Sequence, residues 1–177
     1  GWRGAWGDNS MPFIVAQVST AAKDAVTYEE LSRWAEMREV QRVVTMSTEN
    51  AGMAVTFDLG DSTIHPGNKK EVGERLGRWA DELCYGTKPG AASGPVYWYV
   101  TELDIGAKTF KIVFRNCGIS LTARDSATGI HSRSTSIKGF AICGESRVFK
   151  PVDAMICAEN SSALVFNYSA LAKEIGT

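Results

Sequence analysis

The sequence predicts an α/β unit over residues 1–87 followed by a β-rich, sandwich-like unit over residues 88–177. Three observations predict it. The first half sets short continuous apolar runs beside long helical patterns, and the second half alternates apolar and polar residues between turn signals. Between them lies "GTKPGAASGP", whose Gly, Pro and Ser content marks a connector.

In the first half, "MPFIVAQVS" and "MAVTFDL" read as strands of a parallel sheet covered on both faces. A helix follows each. "TYEELSRWAEMREVQRVV" opens with Thr27 three residues before Glu30, the spacing of a capping box, and carries Leu31, Trp34, Ala35, Val40 and Val44 roughly on one side. The second helix starts after Asn68, with Glu71 three residues on, repeats Val72, Leu76, Trp79, Ala80 and Leu83 on one face, and stops at Gly86. In the second half, "KTFKIVFRN", "GISLTARD", "IKGFAICGESRVFKP" and "SSALVFNYS" read as strands, and the polar "RDSATGIHSRSTS" as a solvated loop or hairpin extension.

Two parallel strands cannot form an independent sheet, because both edges expose unpaired backbone groups. Further strands are therefore expected outside this chain. The opening "GWRGAWGDNS" has no initiating Met, and Met11 already lies in an apolar run, so the chain reads as a piece of a longer protein.

With 44% apolar and 22% charged residues in 177, the composition is that of a globular protein with a core. The formal net charge of −1, with Lys and Arg scattered among Asp and Glu, argues against a nucleic-acid partner. No run of about 18 apolar residues predicts a membrane span. Cys84, Cys117, Cys143 and Cys157 lack metal-ligand spacing, so no metal site is expected, and their pairing stays open. Asn160 and Asn167 open glycosylation sequons.

His65 is one of two histidines, the other being His131 in the polar loop, which is expected to be exposed and inert. It follows the second strand by about six residues, and ligands of open α/β sheets collect at the carboxyl ends of strands. An imidazole there can take a proton from a hydroxyl and return it to a leaving alcohol. It can equally bond a backbone carbonyl in an ordinary turn, since Pro66 and Asn68 already account for the turn and the cap.

"WRGAW", "PFIVAQVS", "WAEMREVQ", "NAGMAVTFDLGD" and "IHPGNKKEVGERLGRWADELCYG" follow in an order and at separations that resemble the C-terminal part of the sialate O-acetylesterase family, within the larger GDSL/SGNH hydrolase group. "CGISLTARDS", "KGFAICGESRVFKPVDAMI" and "ALVFNYS" extend the resemblance more weakly. It implies that residues 1–87 are the C-terminal part of an SGNH-type three-layer α/β/α esterase domain, and that 88–177 are an accessory β-rich domain, incomplete at its C-terminus. It further implies removal of acetyl groups from an O-acetylated sugar or sialic acid, without cofactor or metal, in a secreted, periplasmic or lysosomal setting.

His65 matches the position of the family's catalytic histidine. The family's nucleophile sits in an N-terminal Gly-Gln-Ser-type turn that this sequence lacks, and none of Ser19, Ser47 and Ser62 sits in a strand-to-helix elbow. The chain alone is therefore expected to be inactive. The broader group often places an Asp two or three residues before the histidine, where Thr63 and Ser62 stand here. That leaves a backbone carbonyl, or Asp61 through a rearranged loop, to orient His65. Gln17, Arg38 and Gln41 match family positions near the cleft, and Asn50 is a further candidate for its rim. An acetylesterase acting on plant polysaccharide and a non-catalytic carbohydrate-binding module are the competing readings.

Overall fold

The computed structural model describes residues 1–20, 28–61, 63, 65, 67–87, 89–101, 103–124, 130–133 and 136–175. Thr27, the expected cap, Ser62, and parts of the 124–136 loop lie outside the described residues. The chain divides into two compact units, Gly1–Ser93 and Gly94–Thr177. No helix among the described residues is long and apolar enough to cross a membrane.

The first unit runs α1 (Trp2–Trp6), β1 (Phe13–Ala16), α2 (Tyr28–Ser47), β2 (Ala51–Ala54), a 3-10 turn (Phe57–Leu59) and α3 (Lys69–Tyr85). β1 and β2 pair in parallel, Phe13 opposite Ala51 and Ala16 opposite Ala54. The second strand is shorter than expected, because Phe57–Leu59 of the apolar run turn into the 3-10 helix. α3 follows its local chemistry closely. Asn68 accepts the Glu71 N–H at 3.3 Å, and Gly86 ends the helix with φ 67°, a left-handed conformation that glycine adopts without strain. Trp79 donates its indole N–H to the Met53 carbonyl at 2.8 Å. Its ring lies so close to Gly52 that a Cβ there would fall 2.4 Å from it, which fixes α3 against β2.

α2 departs from the expectation. Ala35, Val40 and Val44 are exposed, whereas the less exposed side carries Trp34, Arg38, Gln41, Arg42 and buried Thr45. On the polar side Gln41 accepts the Val18 N–H past β1 and the Arg38 carbonyl accepts the Gln17 side chain, while Thr45 bonds back to the Gln41 carbonyl within the helix.

The second unit contains β3 (Val96–Val100), β4 (Thr109–Arg115), β5 (Ala123–Arg124), β6 (His131–Ser132), β7 (Ile137–Ile142), β8 (Lys150–Ile156), β9 (Ala163–Asn167), a 3-10 turn (Ser169–Leu171) and α4 (Ala172–Ile175). Five strands form one curled antiparallel sheet in the order β3-β4-β9-β8-β7, and β5 and β6 pair separately. Strand β8 shows the period-two logic plainly, with Val152, Ala154 and Ile156 buried while Pro151, Asp153 and Met155 are exposed. They pack with Leu121, Leu164 and Phe166 into a core. Phe166 stacks on Phe110 at 4.8 Å and meets Phe140 edge-on at 5.0 Å.

Candidate active site

Because β1 and β2 run parallel, their carboxyl ends open on the same side. Gln17 lies directly past β1 and is only 9% exposed. Its N–H donates to the Ala54 carbonyl at 2.9 Å, prolonging the ladder, and its carbonyl accepts the hydroxyl of buried Thr56. From α2, Gln41 reaches over with Oε1 to accept the Val18 N–H at 2.9 Å. The Arg38 carbonyl accepts the Gln17 side-chain amide at 3.5 Å, and the Arg38 guanidinium lies 4.7 Å over the Phe57 ring. Gln17, Arg38 and Gln41 are thus brought together at one end of the strand pair. Two of their atoms, Gln17 Oε1 and Arg38 Nη1, are buried without a hydrogen-bond partner. Each such group costs on the order of 1–3 kcal/mol, which marks this spot as strained for solvation. Burial also pushes the Arg38 pKa below its ordinary value.

The loop that follows carries the two candidate catalytic residues. Its start is held by Thr20, whose hydroxyl donates to the Phe57 carbonyl at 3.2 Å. Gly60 passes so near that a Cβ on it would meet Thr20 Oγ1 and the Thr20 carbonyl, so only glycine fits there. Asp61 is exposed, and one of its carboxylate oxygens is 3.9 Å from where a Cβ on Gly67 would stand, so it faces the returning arm of the same loop. His65 is exposed, and its N–H donates to Thr63 Oγ1 at 3.1 Å. Thr63, standing where the broader hydrolase group often has an Asp, shapes the turn through this bond. Among the described residues the imidazole itself has no hydrogen-bond partner, so the loop backbone sets its position.

A second network was not read from the sequence. Arg75 Nη1 donates to the Val55 carbonyl and to Asp58 Oδ1, both at 2.6 Å, and its Nη2 donates to Asp58 Oδ2 and Glu71 Oε1, both at 2.7 Å. The hydrogen bonds that Arg75 donates to Asp58, more than the one to Glu71, raise the Arg75 pKa above its ordinary value despite partial burial. Spacing alone shows the Glu71–Arg75 pair, one turn apart on α3, but the reach to Asp58 needs the fold.

Asn50 does not join this group. It sits before β2 with φ 51°, donates its side-chain amide to the Ser10 carbonyl at 3.1 Å, and accepts the Phe13 N–H at 2.9 Å. Those contacts hold it at the amino ends of the strands. A shallow concavity beside Arg78, Asp81, Thr87, Ala91 and Ala92 lies at the other end of α3 from His65. His131 is exposed on β6, its Nδ1 at 3.0 Å from Thr122 Oγ1. The four cysteines are free thiols, with Cys157 buried and Cys84 exposed.

Fold and site together define a mixed helix and strand protein that presents an accessible imidazole on the loop past its parallel strands. No family model and no curated protein matches the chain. Among solved structures it is similar to the crystal structure of a novel carbohydrate acetylesterase from Xanthomonas citri, with 28% identity and a TM-score of 0.75 over 96% of this chain. The match spans 35% of that enzyme's length.

Proposed function

We propose that this chain is the histidine-bearing part of a carbohydrate O-acetylesterase of the sialate O-acetylesterase type. Residues 1–87 are then the C-terminal part of an SGNH-type esterase domain, and residues 88–177 an accessory domain. The observation that carries this reading is the similarity to a carbohydrate acetylesterase across 96% of the chain, both units included. The accessible imidazole of His65 at the carboxyl ends of the strands supports it.

In this mechanism a serine from a segment outside these residues attacks the acetyl carbonyl while His65 takes its proton. Backbone and amide donors hold the tetrahedral oxyanion, and the sugar hydroxyl leaves with the proton from His65. Water, deprotonated by the same imidazole, then releases acetate from the acyl-serine. Asp61 or a backbone carbonyl of the loop orients His65, while Gln17, Arg38 and Gln41 shape the floor of the cleft.

The test joins the chain to the segment that precedes it in its coding sequence and measures acetate release from O-acetylated sialic acid, acetylated xylan and p-nitrophenyl acetate. Release from the sialic acid substrate is expected, and release from xylan alone would replace the sialate reading by the polysaccharide one. No release from any of the three would overturn the esterase reading.

A further inference from the structure

Among the described residues no side chain hydrogen-bonds the His65 ring, so what fixes the imidazole is whatever fixes the loop. That loop leaves β2 at Val55 and enters α3 at Asn68, and one continuous string of hydrogen bonds joins its two ends. The Val55 carbonyl and the Asp58 carboxylate accept from Arg75, and Arg75 also donates to Glu71 Oε1 at 2.7 Å. The other Glu71 oxygen accepts the Asn68 side-chain amide at 3.3 Å, while Asn68 accepts the Glu71 N–H. Asp61, Thr63 and His65 therefore lie between the two ends of a ring closed at its base by Arg75.

We infer that Arg75 is a positioning residue for His65, holding the strand side of the loop to the helix side so that the imidazole stays at the strand ends. The geometry suits that role better than a surface ion pair would. The fork on Asp58 is bidentate, the Arg75 side chain is only 20% exposed, and a backbone carbonyl of the strand exit is bound as well. A lysine has no planar fork and cannot make the bidentate Asp58 contact while also reaching the Val55 carbonyl and Glu71 in the same geometry. The inference rests on the reading of His65 as the general base, but the clamp itself can be tested without any catalysis.

The first measurement is amide hydrogen exchange on the complete polypeptide, which needs no substrate. Arg75→Gln is expected to speed exchange at the His65 amide, which is bonded to Thr63 Oγ1, at least about tenfold while the amides of Trp79 to Leu83, in the later turns of α3, keep their rates. Asp58→Asn, a milder change at the same contact, is expected to do so in part. Unchanged exchange at His65 in a folded Arg75→Gln protein would overturn the clamp. The second measurement is hydrolysis of p-nitrophenyl acetate by the complete polypeptide. Arg75→Gln should lower kcat at least about tenfold with KM within about twofold, because a displaced base affects the chemical step. Arg75→Lys should not restore it, and the Asp58→Asn and Arg75→Gln losses should fail to add. Full kcat in Arg75→Gln, or full rescue by Lys, would reject the positioning role. If His65→Ala keeps full activity, the general-base reading fails instead, whatever the exchange data say.

Discussion

The two units build their interiors in opposite ways. The antiparallel unit closes a core from its own five strands, with Phe166, Ala154 and Ala163 at or below 1% exposure. Among its described residues the α/β unit has a single parallel pair, an α3 with no fully buried residue, and an α2 that leaves Met37, Val40, Val43, Val44 and Met46 about half exposed. Hairpins bring antiparallel strands together locally, whereas a parallel sheet gains its cover only by crossovers to further strands. The unit that carries the candidate chemistry is thus the one whose sheet is least self-sufficient.

The sharpest way to break this comparison is to cut each interior. Phe166→Ala should destabilise the second unit by about 3–5 kcal/mol, read as a shift of the urea midpoint, because three aromatic rings meet there. Val40→Asn on the exposed side of α2 should change the stability of the 177-residue chain by less than about 0.5 kcal/mol. Equal losses at the two positions would mean that α2 already has a packed partner in this chain. An effect between these two is expected from Gly52→Ala, whose Cβ would press into the Trp79 ring. Overpacking there should cost about 1–3 kcal/mol, with a change in tryptophan fluorescence reporting the displaced indole.

What was legible in the sequence follows the same division. α3 could be read to the residue at both ends because Asn68, Glu71 and Gly86 act within one turn of themselves. The strands β4 and β9 could be read because "KTFKIVFRN" and "SSALVFNYS" are each one segment, whereas "IKGFAICGESRVFKP" was read as a single strand and runs across the turn that separates β7 from β8. The facing of α2 could not, since apolar spacing favoured Val40 and Val44, while in the fold Gln41 and Thr45 turn inward to bond the backbone past β1 and along the helix, and Arg38 lies over the Phe57 ring. Likewise the loop carrying His65 was visible, but the tie from Arg75 to Asp58 joins residues 17 apart and depends on α3 folding back over β2. Asn50 was drawn to the cleft by its neighbours in sequence, whereas its left-handed φ and its bond to Ser10 hold it at the other end of the strands.

The smallest expected effect is electrostatic. Hydrogen bonds from Ser10 hold the Asp8 carboxyl below its ordinary pKa, that from Arg42 does the same for Glu39, and that from Lys111 for Glu159. A carboxyl depressed on folding adds stability above its unfolded pKa, near 4, and loses it as pH falls through the lower folded value. Melting temperatures should therefore be flat above about pH 5 and fall below about pH 4. Glu159→Gln should reduce that fall only for the transition of the second unit, followed by thermal melts at each pH.

The most direct measurement is the kcat/KM of the complete polypeptide on an O-acetylated sugar, with and without His65→Ala. The expected result is a loss of at least about a hundredfold with no change in melting temperature, as befits an exposed proton-transfer residue. Equal kcat/KM in the two proteins would contradict the account.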